Sequence, residues 1–297
     1  MDADRPGQSR LIPYLFALPA VAVMAIGLFY PVIETLRLSA YEVRLGEAPT
    51  APAFRGLGLF IEVLSDPLVR QSMLVTLKFS VVVVAIEMVI GIGLALMLEG
   101  KIPGMSLLRT IFVLPMMIAP VCVGLIWRYM FDTNAGPINA WLGGTGWQPA
   151  WLADSSLAFL AVCVTDIWQF TPFVFIMALA GLQGLDGSLV EAAKVDGARL
   201  WQQIVFIKLP LLMPILMITL LMRLIDALRG LEVVYAMTNG GPGVSTELFS
   251  LHIYKSAFVT QRMGHSAALS ICLLFVTTIL SAVLLFFNNP LRRGSAS

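Results

Sequence analysis

Charged side chains are scarce in this sequence of 297 residues. Only 12% of the residues are Asp, Glu, Lys or Arg, about half the share found in soluble globular domains. Apolar residues reach 58%, and the formal net charge is +1. Because no cluster of basic residues compensates for this small charge, a nucleic-acid-binding surface is excluded. The composition predicts an integral membrane protein rather than a soluble fold.

Cysteine and histidine are also rare, with three cysteines and two histidines. Cys122, Cys163 and Cys272 fall inside apolar runs without metal-ligand spacing, so we expect small buried side chains and no disulfide framework. His252 and His265 lack the spacing of a zinc-binding His-Glu-x-x-His helix. No Gly-x-Ser-x-Gly elbow is present, so neither zinc hydrolysis nor serine hydrolysis is predicted.

Long hydrophobic runs are abundant, and six of them are long enough to cross about 30 Å of hydrocarbon. Residues Arg5 and Arg10 precede the first run, but its small residues Ala20 and Ala22 lie in mid-span, so a retained span is favoured over a cleaved signal. We predict an all-α integral membrane protein with a transmembrane domain over 11–287, a tail at 1–10 and a tail at 288–297. The predicted spans are 11–33, 78–98, 107–131, 157–182, 209–228 and 267–287.

The Lys and Arg distribution favours an orientation with both tails in the cytoplasm. An even number of spans places the tails on one side, and the connection at 132–156 contains no Lys or Arg. Some basic residues fall on the predicted outer side, so the bias is moderate. The basic residues on the predicted inner side are Arg5, Arg10, Lys101, Arg109, Lys194, Arg199, Lys208, Arg292 and Arg293.

Two connections are predicted to lie outside. Residues 42–70 contain proline and glycine and a short helix near 57–64. Residues 132–156 carry Trp141, Trp147 and Trp151, which indicate an aromatic belt at the membrane interface.

The connection at 186–208 is a polar stretch between two spans. Its residues favour two short helices joined at a bend, with Asp196 capping the second helix and Gly197 permitting the turn. Leu200, Ile204 and Ile207 recur at helical spacing, which predicts an amphipathic helix on the membrane surface. Such a helix is either an ordinary connector or a docking element for a partner protein.

The residue order in this connection resembles the EAA signature of permease subunits in bacterial ABC importers. The matching positions continue through Ile207, Leu209 and Pro210. By this resemblance, the ATPase-coupling residues are Glu191, Ala192, Ala193, Asp196, Gly197 and Ala198.

A second set of matches resembles the carbohydrate-importer permeases related to the maltose and glycerol-phosphate systems. It includes 238–242, Thr246, Tyr254 and 257–258, with further support from Trp168, 171–173 and 179–183.

The resemblance implies a type I ABC importer permease with six spans in the bacterial cytoplasmic membrane. It implies as partners a second homologous permease, two ATP-binding subunits, an extracytoplasmic solute-binding protein and a carbohydrate substrate. The chain itself would be no enzyme and would bind no cofactor, because ATP and Mg²⁺ would belong to the partner ATPase.

Polar residues inside the predicted spans are few, and each is a candidate for the transport route because burial in hydrocarbon is costly. Arg223 and Asp226 are three residues apart, so they are predicted to pair, as a structural pair or within the pathway. Asp166, Gln169 and Phe173 recur on one face of the fourth span, which suits a sugar or packing against the partner permease. The predicted pathway residues are Asp166, Gln169, Phe173, Arg223 and Asp226.

Two rival functions come from other classes. An intramembrane aspartyl enzyme would pair Asp166 with Asp226, but neither lies in the Gly-x-Gly-Asp setting of such proteases. An ion-coupled secondary transporter would use Glu87 and Asp166 as proton carriers. No inverted repeat is visible in the sequence, and the EAA-like connection would have no purpose in such a transporter.

Overall fold

A computed structural model describes residues 12–46, 53–100 and 104–287. The predicted tails at 1–10 and 288–297 lie outside these residues, as does Lys101. The positive-inside bias at the two tails therefore remains a prediction.

The described chain is built of helices with one short hairpin. The hairpin strands are β1 (Tyr41–Glu42) and β2 (Ala53–Phe54), and a 3-10 turn covers Gly143–Thr145. Two π-helical stretches cover Gln203–Lys208 and Lys255–Val259. The α-helices are α1 (Ile12–Leu38), α2 (Gly58–Ser65), α3 (Pro67–Met97), α4 (Met105–Met117), α5 (Pro120–Met130), α6 (Pro137–Leu142), α7 (Ser155–Gln183), α8 (Gly187–Val195), α9 (Leu200–Gln202), α10 (Leu209–Arg229), α11 (Glu232–Met237), α12 (Phe249–Tyr254) and α13 (Met263–Phe287).

Five helical segments are each long and apolar enough to cross a membrane, and they overlap five of the predicted spans. These segments are Tyr14–Leu38, Pro67–Met97, Ser155–Gln183, Leu200–Arg229 and Met263–Phe286.

The remaining predicted span, 107–131, is a broken segment. Helices α4 and α5 meet at an angle of 99° across a break at Ile118 and Ala119. Ile118 has an extended backbone with ψ of 135°, and Pro120 begins α5. Because proline lacks a backbone donor and disfavours helix at the residue before it, the chain starts a new helix here. Six crossings result if this bent pair counts as one span.

The helix predicted over Leu200, Ile204 and Ile207 is present, but it is not a separate element. Residues from Leu200 onward continue directly into α10 and form one segment, Leu200–Arg229. Pro210 has no N–H to give to the preceding turn, and the backbone widens into the π-helical stretch Gln203–Lys208 instead of ending.

The described chain divides into two compact units. The smaller comprises Met1–Leu64 and Lys255–Cys272, and the larger comprises Ser65–Tyr254 and Leu273–Ser297. In the smaller unit the strands pair antiparallel, and α2 confirms the short helix expected near 57–64.

The core of the larger unit lies where α3, α7 and α10 pack together. Phe175, Leu179 and Leu212 are buried in one hydrophobic cluster at this junction. A Cβ on Gly91 of α3 would lie 2.7 Å from the Val174 side chain of α7, so only glycine permits this close approach. Small residues commonly allow such contacts between membrane helices.

Two expectations about buried and interfacial side chains need correction. Cys163 is buried and Cys272 is half-buried, but Cys122 is exposed because α5 buries Val123 and Gly124 instead. Trp151 is not part of an exposed belt, since it is 9% exposed and donates its indole N–H to Asn139 at 2.7 Å. Trp141 remains 88% exposed, as an interfacial residue would be.

Candidate functional site

A single buried arginine on α10 forms the centre of the polar site. The Arg223 side chain is 2% exposed, and its Nε and Nη2 atoms donate to the two carboxylate oxygens of Glu87 at 2.7 and 2.9 Å. Glu87 lies on α3 and is completely buried. This fork-to-fork geometry is the strongest arrangement available to an arginine and a carboxylate.

Two further carboxylates bind the same guanidinium group. Nη2 of Arg223 also donates to Asp166 on α7 at 2.9 Å, and Nη1 donates to Asp226 at 2.6 Å. The guanidinium carbon lies 4.2 Å from the centre of the Phe170 ring, so the cation is stacked on an aromatic face. The predicted pairing of Arg223 with Asp226 is confirmed, and three helices meet at one cation.

This ion cluster, defined as Glu87, Asp166, Arg223 and Asp226, is unbalanced in charge. Three carboxylates surround one guanidinium group, and Asp226 is the only one of the three whose side chain is mostly exposed, at 60%. Buried ions are tolerated when hydrogen bonds compensate for lost hydration. Removal of Arg223 would leave buried carboxylates without this compensation.

A cavity of about 400 Å³ opens beside the ion cluster. Its wall contains Asp166 and Asp226 from the cluster, and the ring of Phe170. Arg229 at the end of α10 and Glu232 at the start of α11 complete the charged part of the lining. Small-molecule sites typically have such volumes and combine polar groups with aromatic walls.

The other two pathway candidates on α7 lie elsewhere. The cavity lining, within the described residues, includes neither Gln169 nor Phe173. Gln169 is buried, and its Nε2 donates to the carbonyl of Ile118 at 3.3 Å. That carbonyl stands at the break between α4 and α5, so Gln169 satisfies a backbone group that the break leaves available. Phe173 is half-buried.

The Arg128 side chain of α5 is positioned by a backbone carbonyl group. Its Nη1 reaches the carbonyl of Ala236 at 3.5 Å.

Helix α8 carries the EAA-like residues at its end. Asp186 accepts a hydrogen bond from the backbone N–H of Ser188 at 3.0 Å and thereby caps the helix. The same hydrogen bond lowers the pKa of the Asp186 carboxyl below its ordinary value. The nine residues of α8 include none that is buried, and Val195 is 88% exposed.

The Asp196-Gly197-Ala198 step ends α8 in a Schellman motif. The N–H of Gly197 binds the carbonyl of Lys194 at 3.1 Å, and the N–H of Ala198 binds that of Ala193 at 2.9 Å. Gly197 has a φ of +80°, a conformation that side chains with a Cβ disfavour. The predicted turn at Gly197 is therefore confirmed.

The sequence predicted that Asp196 caps the second helix, and this prediction is wrong. Asp196 is the C-cap residue that follows α8, and Arg199 is the N-cap residue of α9. The Arg199 N–H donates to Oε1 of Gln202 at 2.7 Å, so a glutamine side chain caps this start.

The segment from 186 to 208 is tied to α3 by an ion pair. The ammonium group of Lys208, which is 7% exposed, binds the carboxylate of Glu99 just beyond α3. Both residues line a second cavity, of about 330 Å³, together with Asp186, Glu191 and Gln203. The segment therefore contacts α3 through this ion pair and is continuous with α10.

A family model described as "binding-protein-dependent transport system inner membrane component" matches residues 87–293. The chain belongs to this family. The match includes the ion cluster, α8 and the polar cavity except for its lining residue Phe79. Within the described residues, no group of three or more His, Cys, Asp or Glu side chains is arranged to hold a metal ion.

Relatives align with this inner membrane component over most of its length. The trehalose/maltose transport system permease protein MalF of Thermococcus litoralis is 36% identical over 80% of each chain. The sn-glycerol-3-phosphate transport system permease protein UgpA of Agrobacterium fabrum is 31% identical over 92% of this chain and 93% of its own.

A solved structure has the same fold. One chain of a bacterial alginate ABC transporter, crystallised with an alginate pentasaccharide-bound periplasmic protein, superposes with a TM-score of 0.80. The two chains are 23% identical, and the alignment covers 96% of each.

Sequence reasoning found part of the polar site. It paired Arg223 with Asp226 but treated Glu87 and Asp166 as separate groups, and it chose Phe173 where Phe170 stacks on Arg223. Phe170 stands four residues after Asp166, so helical spacing alone was compatible with either aromatic residue. Arg229 ends α10 and Glu232 begins α11, just beyond the predicted fifth span, and neither was among the predicted pathway residues.

Proposed function

We propose that this chain is the membrane-spanning permease subunit of an ATP-driven importer for a carbohydrate or polyol. The observation that carries the proposal is the 36% identity, over 80% of each chain, to a trehalose/maltose permease. A polar cavity with a phenylalanine wall supports it, because sugar hydroxyl groups need hydrogen-bond partners and sugar C–H faces pack on aromatic rings.

The proposed complex contains a second, homologous permease and two ATP-binding subunits. An extracytoplasmic binding protein delivers the solute, and ATP with Mg²⁺ is bound by the ATPase subunits. The permease has both tails and the 186–208 connection in the cytoplasm of a bacterial cell. The six spans, the connection and the two tails keep the boundaries predicted above, and the helix of the fifth span extends back into the connection as far as Leu200.

Helix α8 and the turn after it are the proposed docking element for the ATPase. The helix buries none of its residues in this chain, and Glu191 and Val195 are exposed. A partner groove would bury the apolar side chain of Val195 and meet the carboxylate of Glu191 with polar groups. The Schellman turn then orients Ala192, Ala193 and Ala198 against that groove.

The ion cluster would transmit a displacement of this docking element to the helices around the cavity. Residues 200–229 form one helical segment, so displacement at α8 moves the helix that carries Arg223. Arg223 binds α3 and α7 through Glu87 and Asp166, and these helices move with it. Closure of the ATPase dimer would thereby shift the pathway between inward-open and outward-open states.

The contacts of Arg223 argue against the secondary-transporter alternative, which needs Glu87 and Asp166 as proton carriers. Glu87 and Asp166 are both engaged by Arg223. The aspartyl-enzyme alternative loses its reactive pair for the same reason, since Asp166 and Asp226 are held by that guanidinium group.

Uptake into proteoliposomes tests the proposed function. The permease is co-expressed with the proposed second permease and ATP-binding subunits, and the complex is reconstituted. Radiolabelled trehalose, maltose and glycerol 3-phosphate are then added together with the binding protein. We expect uptake of at least one of these solutes that requires internal ATP and the binding protein. Uptake driven by a proton gradient without ATP would instead establish the secondary-transporter alternative.

Affinity co-purification tests the docking element. A Glu191→Ala, Gly197→Pro double variant is expected to lose the ATPase subunits while retaining the second permease. Trp141→Ala, at an exposed position outside the segment, is the matched control and is expected to retain them. Retention of the ATPase by a folded double variant would refute docking through α8.

A further inference from the structure

The polar cavity has an acidic wall. Among the described residues that line it, Asp166, Asp226 and Glu232 are acidic, and Arg229 is the only basic residue. The cavity therefore presents three carboxylates and one guanidinium group to its contents.

The buried Arg223 offsets this charge only in part, because one guanidinium group pairs with three carboxylates. Four of its five N–H groups are directed to carboxylate oxygens, one to Asp226, one to Asp166 and two to Glu87. Arg223 is therefore a buried counter-ion for the wall and is not available as a receptor for a phosphate or carboxylate group.

Arg128 does not line this cavity either, because its guanidinium group is directed to the carbonyl of Ala236. Of Arg128, Arg223 and Arg229, only Arg229 is among the described residues that line the cavity. It shares the wall with Glu232, three residues further along the chain. An anionic solute would find one cation and three carboxylates within a single space of about 400 Å³.

We propose that this cavity admits uncharged or cationic carbohydrates and rejects anionic ones such as sugar phosphates and uronates. This selectivity rests on the proposed function, since it names the charge class of the solute that passes the same site. The carboxylates accept hydrogen bonds from sugar hydroxyl groups, and the Phe170 ring packs against a sugar face. Like charges brought together in such a site are strongly disfavoured, so repulsion supplies the discrimination.

Charged thiol reagents test the potential of the cavity without requiring a known substrate. Leu231, a half-buried lining residue, is replaced by cysteine in the assembled complex after Cys122, Cys163 and Cys272 have been substituted. Reaction rates are measured with a cationic and an anionic methanethiosulfonate. The quantity compared is the rate with the cationic reagent divided by the rate with the anionic reagent. We expect this ratio at Leu231→Cys to exceed the ratio at the control site Asn134→Cys by about tenfold or more.

Variants that neutralise charged lining residues test whether these side chains produce the electrostatic potential of the cavity. Glu232→Gln and, separately, Asp226→Asn are expected to lower the rate ratio by several-fold, whereas Arg229→Gln is expected to raise it. Two variants on different helices guard against a local folding defect in either one. An equal or faster reaction of the anionic reagent at Leu231→Cys would overturn the proposal.

The uptake assay separates this inference from the proposed function. ATP-driven import of trehalose or maltose without glycerol 3-phosphate import supports both. ATP-driven import of glycerol 3-phosphate overturns the charge selectivity and leaves the importer intact. Absence of ATP-driven uptake of all three solutes contradicts the proposed function, whereas the reagent ratio still reports the potential of the cavity.

Discussion

At the scale of single residues, the charge of Arg223 decides the stability of the polar site. It compensates three carboxylates, of which Glu87 is completely buried. Loss of one partner from a buried ion pair typically costs 3–5 kcal/mol, because the other charge remains buried. The same change costs little when the partners are neutralised as well.

The first prediction concerns this compensation. Arg223→Met is expected to destabilise the permease by about 3–5 kcal/mol, measured as a large drop in apparent melting temperature in nanodiscs. Adding Glu87→Gln and Asp166→Asn should restore much of the loss. Arg223→Lys should be intermediate, since an ammonium group cannot form the fork with Glu87. A melting temperature of Arg223→Met equal to that of the wild type would contradict this account.

The second prediction concerns pH in the smaller unit. Arg262 donates to Glu62 of α2 at 2.6 Å, and this hydrogen bond lowers the pKa of the Glu62 carboxyl. A carboxyl whose pKa is lowered on folding stabilises the folded state above its ordinary pKa. That contribution is lost as the pH falls through the lowered value.

The protection factors of the α2 amides, which correct the exchange rate for its intrinsic pH dependence, should therefore fall on acidification from pH 7 towards pH ~4 and below. Glu62→Gln should remove most of this pH dependence, and Glu34→Gln, whose partner Arg37 lies on the same exposed face of α1, is the matched control. An unchanged acid response in Glu62→Gln would assign it to another group.

At the scale of elements, α8 is stabilised by the hydrogen bonds at its two ends. Asp186 caps the first turn, and Gly197 closes the last one at a φ of +80°. A nine-residue helix is too short to be stable from propensity alone, so these local hydrogen bonds are needed to hold it.

The third prediction follows from the positive φ of Gly197. Gly197→Val is expected to cost about 1–2 kcal/mol locally, seen as faster hydrogen exchange in α8 and weaker capture of the ATPase. Gly197→Asn, which tolerates this conformation better, should lie close to the wild type. Both substitutions meet open space, since nothing lies within 4 Å of a Cβ at this position. Equal effects of Val and Asn would show that backbone conformation is not the cause.

At the scale of the whole molecule, the number of crossings determines which loops share a side. Five single helical segments and one bent pair give six crossings, with α8 between the fourth and fifth. The bent pair is stabilised in part by Gln169, which binds the free carbonyl at the break. The connection around Thr145 then lies opposite α8.

The fourth prediction tests this topology in intact cells. In a background without native cysteines, Val195→Cys should resist a membrane-impermeant maleimide until the membrane is permeabilised. Thr145→Cys should react from outside, and both positions are exposed in the chain. Labelling of Val195→Cys from outside would reverse the orientation and exclude ATPase docking on α8.

Much of this molecule follows from local sequence. Apolar runs of about 20 residues must form helices in a bilayer, because no water satisfies their backbone groups. The end of α8 is equally local, since only glycine readily takes the turn at Gly197. The Arg223–Asp226 pair follows from helical spacing on one face.

Tertiary structure decided the rest, because the relevant partners are far apart in the chain. Glu87 meets Arg223 across 136 positions, and Lys208 meets Glu99 across 109. No periodicity encodes these contacts; they depend on how α3, α7 and α10 pack. The same packing turned separate carboxylates into one ion cluster and left three acidic side chains facing the cavity. Hydrophobicity thus determined that the chain spans a membrane, whereas helix packing determined where its few charges act.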